Sequence, residues 1–190
     1  MKRYFNNKLL IKNFKEDEIT DILSSYQSSR NNLIKGIGDD CAVVNNENND
    51  EYSVYTSDAT IEGVHFNFGE SPERIGNKAI GRVLSDFAAM GARPRWVLIN
   101  LSIPQDYKMD DLKIIYSSIQ NKLDQYECSI VGGDLTKSDI LGFNIFGAGI
   151  AKYQNIIYRD NVNINQKIWC TGQLGLSAYG KHLDFSSRVE

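Results

Sequence analysis

The stretch SPERIGNKAIGRVLSDFAAMGA, residues 71–92, contains the clearest helix pattern in the sequence. Ser71 is a good N-cap, Pro72 suits the first helical position, and Gly91 suits the helix end. Apolar residues recur at helical spacing, and they are Ile75, Ala79, Val83, Phe87 and Met90. The stretch therefore predicts an amphipathic helix from about Pro72 to Met90 with one face on a core.

Shorter patterns on both sides of this helix predict further helices and strands. Helical spacing predicts helices over Glu16 to Tyr26 and Asp110 to Tyr126. Runs of apolar residues bounded by turn formers predict strands over Ala42 to Val44, Tyr52 to Ser57, Trp96 to Ile103, Ser129 to Val131, Ile140 to Ala151 and Lys167 to Thr171. Paired strands between long helices favour an α+β domain with a mixed or largely antiparallel sheet and flanking helices.

Composition excludes several classes of protein. The chain has 190 residues, of which 42% are apolar and 24% charged, and this balance predicts a globular domain. The net charge of −3 gives no general basic field, so we expect no nucleic-acid partner. We find no run that could serve as a signal peptide or membrane span. The three widely spaced cysteines fit neither a disulfide framework nor a zinc site, which favours the cytoplasm.

Four short acidic motifs predict a metal-nucleotide site. They are Gly38-Asp39-Asp40, Thr56-Ser57-Asp58, Ser85-Asp86 and Gly132-Gly133-Asp134. Carboxylates with neighbouring hydroxyls, without His or Cys, are the ligands of a hard cation such as Mg²⁺. For any single motif, ordinary turn chemistry is the better explanation, and the hypothesis depends on the four together.

Asp86 is unusual because it lies in the C-terminal half of a predicted helix, where the macrodipole disfavours negative charge. A bound cation would offset that charge. The alternative is an i, i+4 pair with Arg82 on the helix surface.

Gly132 and Gly133 allow backbone N–H groups to approach a phosphate, with Asp134 holding its metal, although the same glycines suit a plain tight turn. The usual nucleotide motifs are absent from the sequence, so ATP would bind through a less common fold. His65 follows the Asp58 strand in a predicted loop, and Arg159 is a candidate phosphate clamp. Each of these two has an ordinary surface role as its alternative.

Read together, these motifs resemble the thiamine-monophosphate kinase family, a branch of the aminoimidazole ribonucleotide synthetase superfamily. The resemblance rests on GIGDDCA at 36–42, Ser57-Asp58 followed by EGVHF at 62–66, LSDFAAMGA at 84–92 and GGDLT at 132–136. It continues through Tyr158-Arg159 and CTGQLGLSA at 170–178. The EGVHF segment is the part that points to the thiamine branch.

The resemblance implies an ATP-dependent phosphorylation of thiamine phosphate to thiamine diphosphate, with Mg²⁺ as cofactor. It implies metal binding by Asp40, Thr56, Ser57, Asp58, Asp86 and Asp134. It implies ATP contacts from Tyr116, Gly133, Asp134 and Arg159, and a thiamine phosphate contact from His65. Asp39 is a less secure ligand than Asp40.

The family also implies a homodimer, formed by pairing of the N-terminal sheets, and a second domain that completes the substrate pocket. We therefore expect residues 1–150 to form the ATP- and metal-binding domain and residues 151–190 to begin an incomplete second domain. No residue suits a general base, so we assign none. The alternatives are another ATP-using enzyme of the same superfamily, distinguished by its pocket around His65, and a non-catalytic nucleotide-binding dimerisation module.

Overall fold

The fold is one six-stranded sheet with two long helices packed on one of its faces. A computed structural model describes residues 10–46 and 50–170. The α-helices in these ranges are α1 (Glu16–Ser24), α2 (Pro72–Ala89) and α3 (Met109–Asp124). The strands are β1 (Leu33–Lys35), β2 (Ala42–Asn45), β3 (Glu51–Ile61), β4 (Arg93–Ile103), β5 (Ser129–Lys137) and β6 (Gly142–Lys152).

The sheet is mixed, with the strand order β1-β2-β3-β6-β4-β5. Among the described strands only β4 and β5 pair in parallel, and α3 makes the crossover that a parallel pair requires. The other neighbouring strands are antiparallel. We call the side that α2 and α3 cover the helix face, and the other side the open face. The predicted α+β domain with a mixed sheet is confirmed.

Helix α2 forms where its sequence signals place it. The Ser71 hydroxyl accepts a hydrogen bond from the Arg74 N–H at 3.4 Å, and Pro72 opens the helix. Gly91 follows the C-cap with φ of +65°, a backbone conformation that residues other than glycine rarely adopt. Its apolar stripe is buried on the helix face, including Ile80 and Val83 at 0% exposure. α2 therefore fixes the position of every side chain that it carries toward the sheet.

Several strand predictions needed correction. The Gly132-Gly133-Asp134 motif lies inside β5 rather than in a turn, because its backbone pairs with β4 from Leu98 to Asn100. Asp58 lies within β3, not at its end, since pairing with β6 continues to Ile61. Residues 167–170 form no strand, and Thr171 onward lies outside the described residues.

The end of β6 at Lys152 falls close to the expected domain boundary at residue 150. Beyond it, residues 153–170 contain no helix or strand, and the division into domains 1–150 and 151–190 stays a prediction. In the described ranges, no helix is both long and apolar enough to cross a membrane.

Candidate functional site

Three of the predicted metal ligands meet on the helix face, between β3 and α2. Side chains alternate along a strand, so Thr56 and Asp58 both point toward α2. The Thr56 hydroxyl donates a hydrogen bond of 2.5 Å to the carboxylate of Asp86. The unusual position of Asp86 on the helix thus has a local reason, because it accepts a bond from the strand beneath.

The Asp86 carboxyl has an altered acidity. Burial raises its pKa to about 6, against an ordinary value of 3.8. The hydrogen bond from Thr56 acts in the opposite direction, while the nearby carboxylates of Asp58 and Asp40 raise the pKa further. We call Asp40, Asp58 and Asp86 the acidic cluster, because each of the other two acts electrostatically on Asp86.

An arginine on α2 neutralises part of this cluster. Arg82 Nη2 lies 2.7 Å from Asp58 Oδ1, and the two side chains are 36% and 22% exposed. Arg82 therefore forms an ion pair with the strand and not the i, i+4 pair with Asp86 that was the alternative to a bound cation. Arg82 Nε is buried and has no hydrogen-bond partner in the described part of the chain.

A second arginine neutralises Asp40 from the far end of the described chain. Arg159 Nη2 lies 2.6 Å from Asp40 Oδ1, and this hydrogen bond raises the pKa of the guanidinium. Asp39, whose side chain is 0% exposed, accepts bonds from the backbone N–H groups of Asp40 and Arg159. Lys35 Nζ lies 3.7 Å from Asp39 Oδ2 and 2.7 Å from Asp160 Oδ2. The Asp39 carboxylate therefore joins the Gly38-Asp39-Asp40 motif to the backbone at Arg159, a contact that its place in the motif did not reveal.

His65 lies in the loop that follows β3, as predicted. Its Nδ1 accepts a hydrogen bond of 3.0 Å from the Ile61 N–H, and its carbonyl accepts one of 2.9 Å from Lys78 Nζ. Burial lowers the pKa of the imidazole, and the positive charge of Arg82 lowers it further. The neutral ring with Nδ1 as acceptor carries its proton on Nε2, so it can donate a hydrogen bond to an anion.

The other predicted ligands lie away from this cluster. Ser57 points to the open face, because its neighbours on β3 point to the helix face. Gly133 is aligned with Asp58 across the two intervening strands β6 and β4. Three strand spacings place these two positions about 14 Å apart. Asp134 is exposed and accepts a bond of 3.2 Å from the Thr136 hydroxyl.

Tyr116, a predicted ATP contact, is half-buried on α3 and packs against the core. Burial raises the pKa of its phenol. Within the described residues we see no hydrogen bond from its hydroxyl to the acidic cluster.

The oxygen ligands suit Mg²⁺ only if a phosphate ligand shares the metal. No group of three His, Cys, Asp or Glu side chains in residues 10–46 and 50–170 could hold a metal ion. Mg²⁺ in nucleotide sites is commonly bound by one or two carboxylates, with waters and substrate phosphates supplying the other ligands. The carboxylates of Asp58 and Asp86, with the Thr56 hydroxyl between strand and helix, fit that second arrangement.

A cavity of about 510 Å³ lies beyond the His65 loop, at the starts of α2 and α3. Phe66 and Tyr107 line it, together with the carboxylates of Glu62 and Asp111. No member of the acidic cluster lines this cavity. The cluster is thus a separate feature on the side of the His65 loop that faces β3 and Arg82.

Comparison with known proteins agrees with this arrangement of motifs. Residues 38–151 match the family described as AIR synthase related protein, N-terminal domain. The chain belongs to this family. The match begins in the Gly38-Asp39-Asp40 motif and ends with β6, so the AIR synthase related domain contains the sheet from β2 onward and both long helices.

Several similar proteins are named thiamine-monophosphate kinase. The thiamine-monophosphate kinase of Buchnera aphidicola subsp. Acyrthosiphon pisum is 35% identical over 181 residues, which is 95% of this chain and 52% of the relative. That of Aquifex aeolicus is 34% identical over 156 residues, or 82% of this chain and 50% of the relative. AaThiL complexed with AMPPCP and TMP has a TM-score of 0.74 at 31% identity, covering 82% of this chain and 47% of that one. This AIR synthase related chain spans about half the length of the relatives that it matches.

Proposed function

We propose that this chain is the ATP- and metal-binding part of a thiamine-phosphate kinase, which transfers a phosphoryl group from ATP to thiamine phosphate and forms thiamine diphosphate. Support comes from its thiamine-monophosphate kinase relatives and from the structural likeness to a complex with AMPPCP and TMP. The observation that carries the proposal is the group of Thr56, Asp58 and Asp86 beside Arg82 and His65.

In this proposal the acidic cluster binds the magnesium that accompanies ATP. Asp58 and Asp86 would be its direct ligands, with the hydroxyl of Thr56 holding Asp86 in place, and Asp40 would become available as a further ligand once Arg159 leaves it. When bound, Mg²⁺ offsets the charge on the phosphate oxygens. Arg159 would exchange its partner Asp40 for a phosphate, since a guanidinium binds carboxylate and phosphate with similar geometry.

The remaining predicted ligands have a place in a homodimer. Ser57, Gly133 and Asp134 lie on β3 and β5, and Ser57 and Asp134 lie outside the helix face. Pairing of two chains through their open faces would bring these residues to the interface, where we propose that they contact ATP and its metal. Tyr116 completes the proposed ATP contacts from α3.

His65 would orient the acceptor. Its Nε2–H can donate a hydrogen bond to the phosphate of thiamine phosphate, and the neutral ring adds no charge to the site. That phosphate is already anionic and needs no base to remove a proton. We therefore propose that these residues act by positioning and by electrostatic stabilisation.

Calorimetry on the 190-residue chain tests the proposal. ATP should bind in the presence of Mg²⁺, and Asp86→Asn should weaken that binding at least about tenfold, because a charge-assisted ligand is lost. Asp110→Asn is the matched control, since Asp110 is exposed on α3 and pairs with Lys113 of the same helix. Equal ATP affinity with and without Mg²⁺, or equal losses in both variants, would contradict the proposed site.

The homodimer has its own support on the open face. Trp96 is 54% exposed, and Leu98 and Phe146 are each 38% exposed, so apolar area on the two strands β4 and β6 is available for a second copy. Light scattering should give about twice 21.5 kDa, and Leu98→Lys should reduce this mass to that of one chain. A single-chain mass for the parent protein would remove the dimer from the proposal. We also place the protein in the cytoplasm, which suits its free, buried cysteines Cys41 and Cys128.

A further inference from the structure

Two arginines already occupy cation positions beside the acidic cluster. Arg82 pairs with Asp58 at 2.7 Å and Arg159 with Asp40 at 2.6 Å. Of the three carboxylates, only Asp86 has a hydroxyl rather than a guanidinium as its hydrogen-bond partner. The cluster is therefore close to electrically balanced before any metal arrives.

Arg82 is the more deeply placed of these two arginines. It is 36% exposed, whereas Arg159 is 62% exposed and follows the last strand. Its charge acts on three groups of the candidate site at once, because it pairs with Asp58 and also lowers the pKa values of Asp86 and His65. A divalent cation bound at Asp58 and Asp86 would lie beside this fixed positive charge, which would repel it.

We propose that Arg82 is a built-in counter-cation that competes with the divalent metal at Asp58, so that metal binds well only when it arrives with ATP. The inference deepens the proposed function and rests on it. The triphosphate would supply the missing metal ligands and a new anionic partner for the displaced guanidinium.

The contacts of Arg82 suit an exchangeable partner. Among the described residues, its guanidinium donates one hydrogen bond, from Nη2 to the Asp58 carboxylate, and its Nε has no hydrogen-bond partner. A two-bonded fork would hold Asp58 more rigidly, because bidentate pairs add geometric constraint. An ion pair that is partly exposed is also weakened by solvent, so the exchange costs little.

The experiment titrates the 190-residue chain with Mn²⁺ and no nucleotide, following free Mn²⁺ by electron paramagnetic resonance. Arg82→Met keeps an unbranched apolar stem and removes the charge, so it should bind Mn²⁺ at least about tenfold tighter than the parent chain. In a separate calorimetric titration of the chain with preformed Mn²⁺–ATP, the parent chain and Arg82→Met should differ less, because the phosphates then provide the alternative partner for Arg82.

Two control variants separate charge from packing. Arg82→Lys retains the positive charge and should bind within about threefold of the parent chain. Arg74→Met alters an arginine on the same helix that pairs with Glu70, so its Mn²⁺ affinity should not change. Arg82→Gln repeats the measurement if Arg82→Met does not fold.

The outcomes distinguish this inference from the proposed function. If the parent chain binds Mn²⁺ with ATP, but the neutral variants at Arg82 show no gain without ATP, the competition is refuted and the metal-nucleotide site stands. Absence of Mn²⁺ binding in every sample, with ATP present, would overturn both. A gain in Mn²⁺ affinity in Arg74→Met equal to that in Arg82→Met would also overturn the inference, because removing any positive charge from α2 would then have the same effect.

Discussion

The helix face and the open face of the sheet carry apolar side chains from the same strands, but within residues 10–46 and 50–170 only the helix face is covered by other elements. On β6, Phe143 is 0% exposed beneath the helices, whereas Phe146 on the other side keeps 38% of its surface exposed. The polar side chains of β3 divide in the same way, with Thr56 and Asp58 toward α2 and Ser57 on the opposite side. A motif of three consecutive residues on a strand therefore cannot act on one ligand from one face.

The largest expected difference between the faces is in stability. Phe143→Ala should lower the free energy of unfolding by about 3–5 kcal/mol, because it leaves a cavity in a packed core. Phe146→Ala should cost less than about 1 kcal/mol in the monomer, since its ring is already partly in solvent. Urea unfolding of dilute samples measures both, and equal losses would mean that the open face is as well packed as the helix face.

A smaller effect should follow from the acidity of Asp86. The pKa of Asp86 in the folded chain is about 6, above the ordinary 3.8. The protonated carboxyl therefore makes its full contribution to the free energy of unfolding below pH 3.8, and this contribution is lost as the pH rises through about 6. Asp86→Asn stays neutral and should be more stable than the parent chain by about 2 kcal/mol above about pH 7, after allowance for solvent screening.

Thermal unfolding in EDTA at several pH values measures this difference between Asp86→Asn and the parent chain. The advantage of the variant should shrink as pH falls toward the ordinary pKa of aspartate. An advantage that is independent of pH would show that Asp86 does not titrate in this range.

The smallest expected effect compares neighbours on β3. Thr56→Val removes the hydrogen bond to Asp86 while keeping the side-chain volume, and should cost about 1 kcal/mol. It should also raise the pKa of Asp86, because that bond lowers it. Ser57→Ala, on the open face, should change stability by less than about 0.5 kcal/mol. Urea unfolding and NMR titration of Asp86 test this pair, and matching results in both variants would contradict the assignment of faces.

Elements whose position is set by residues close in sequence could be predicted from the sequence. Helix α2 begins at its predicted residue because Ser71 and Pro72 act within one turn, and it ends one residue before the predicted Met90. The loop position of His65 was also predicted correctly. Both features depend on residues a few positions apart.

Features set by distant partners were harder to predict. Gly132 and Gly133 look like a turn in isolation, yet their backbone has φ of +156° and +149° and pairs with β4 across the whole α3 crossover. The sequence offered Asp86 on the same helix as an alternative partner for Arg82, but its actual partner, Asp58, depends on how α2 lies on the sheet. The predicted ligands lie on two faces of the sheet because of the register in which the strands pair. The spacing of apolar residues in the sequence does not determine that register.

The central pairing of the sheet also sets the order in which the chain can fold. β3 bonds along its full length to β6, from Glu51 with Lys152 to Ile61 with Gly142. During synthesis the ribosome must add roughly 80 residues after β3 before β6 begins, which takes about 4–16 s at ordinary elongation rates. Through that interval one edge of β3 has no strand to pair with. Newly made chains therefore present an unpaired edge to chaperones until β6 emerges, and pauses in translation between these strands would lengthen that exposure.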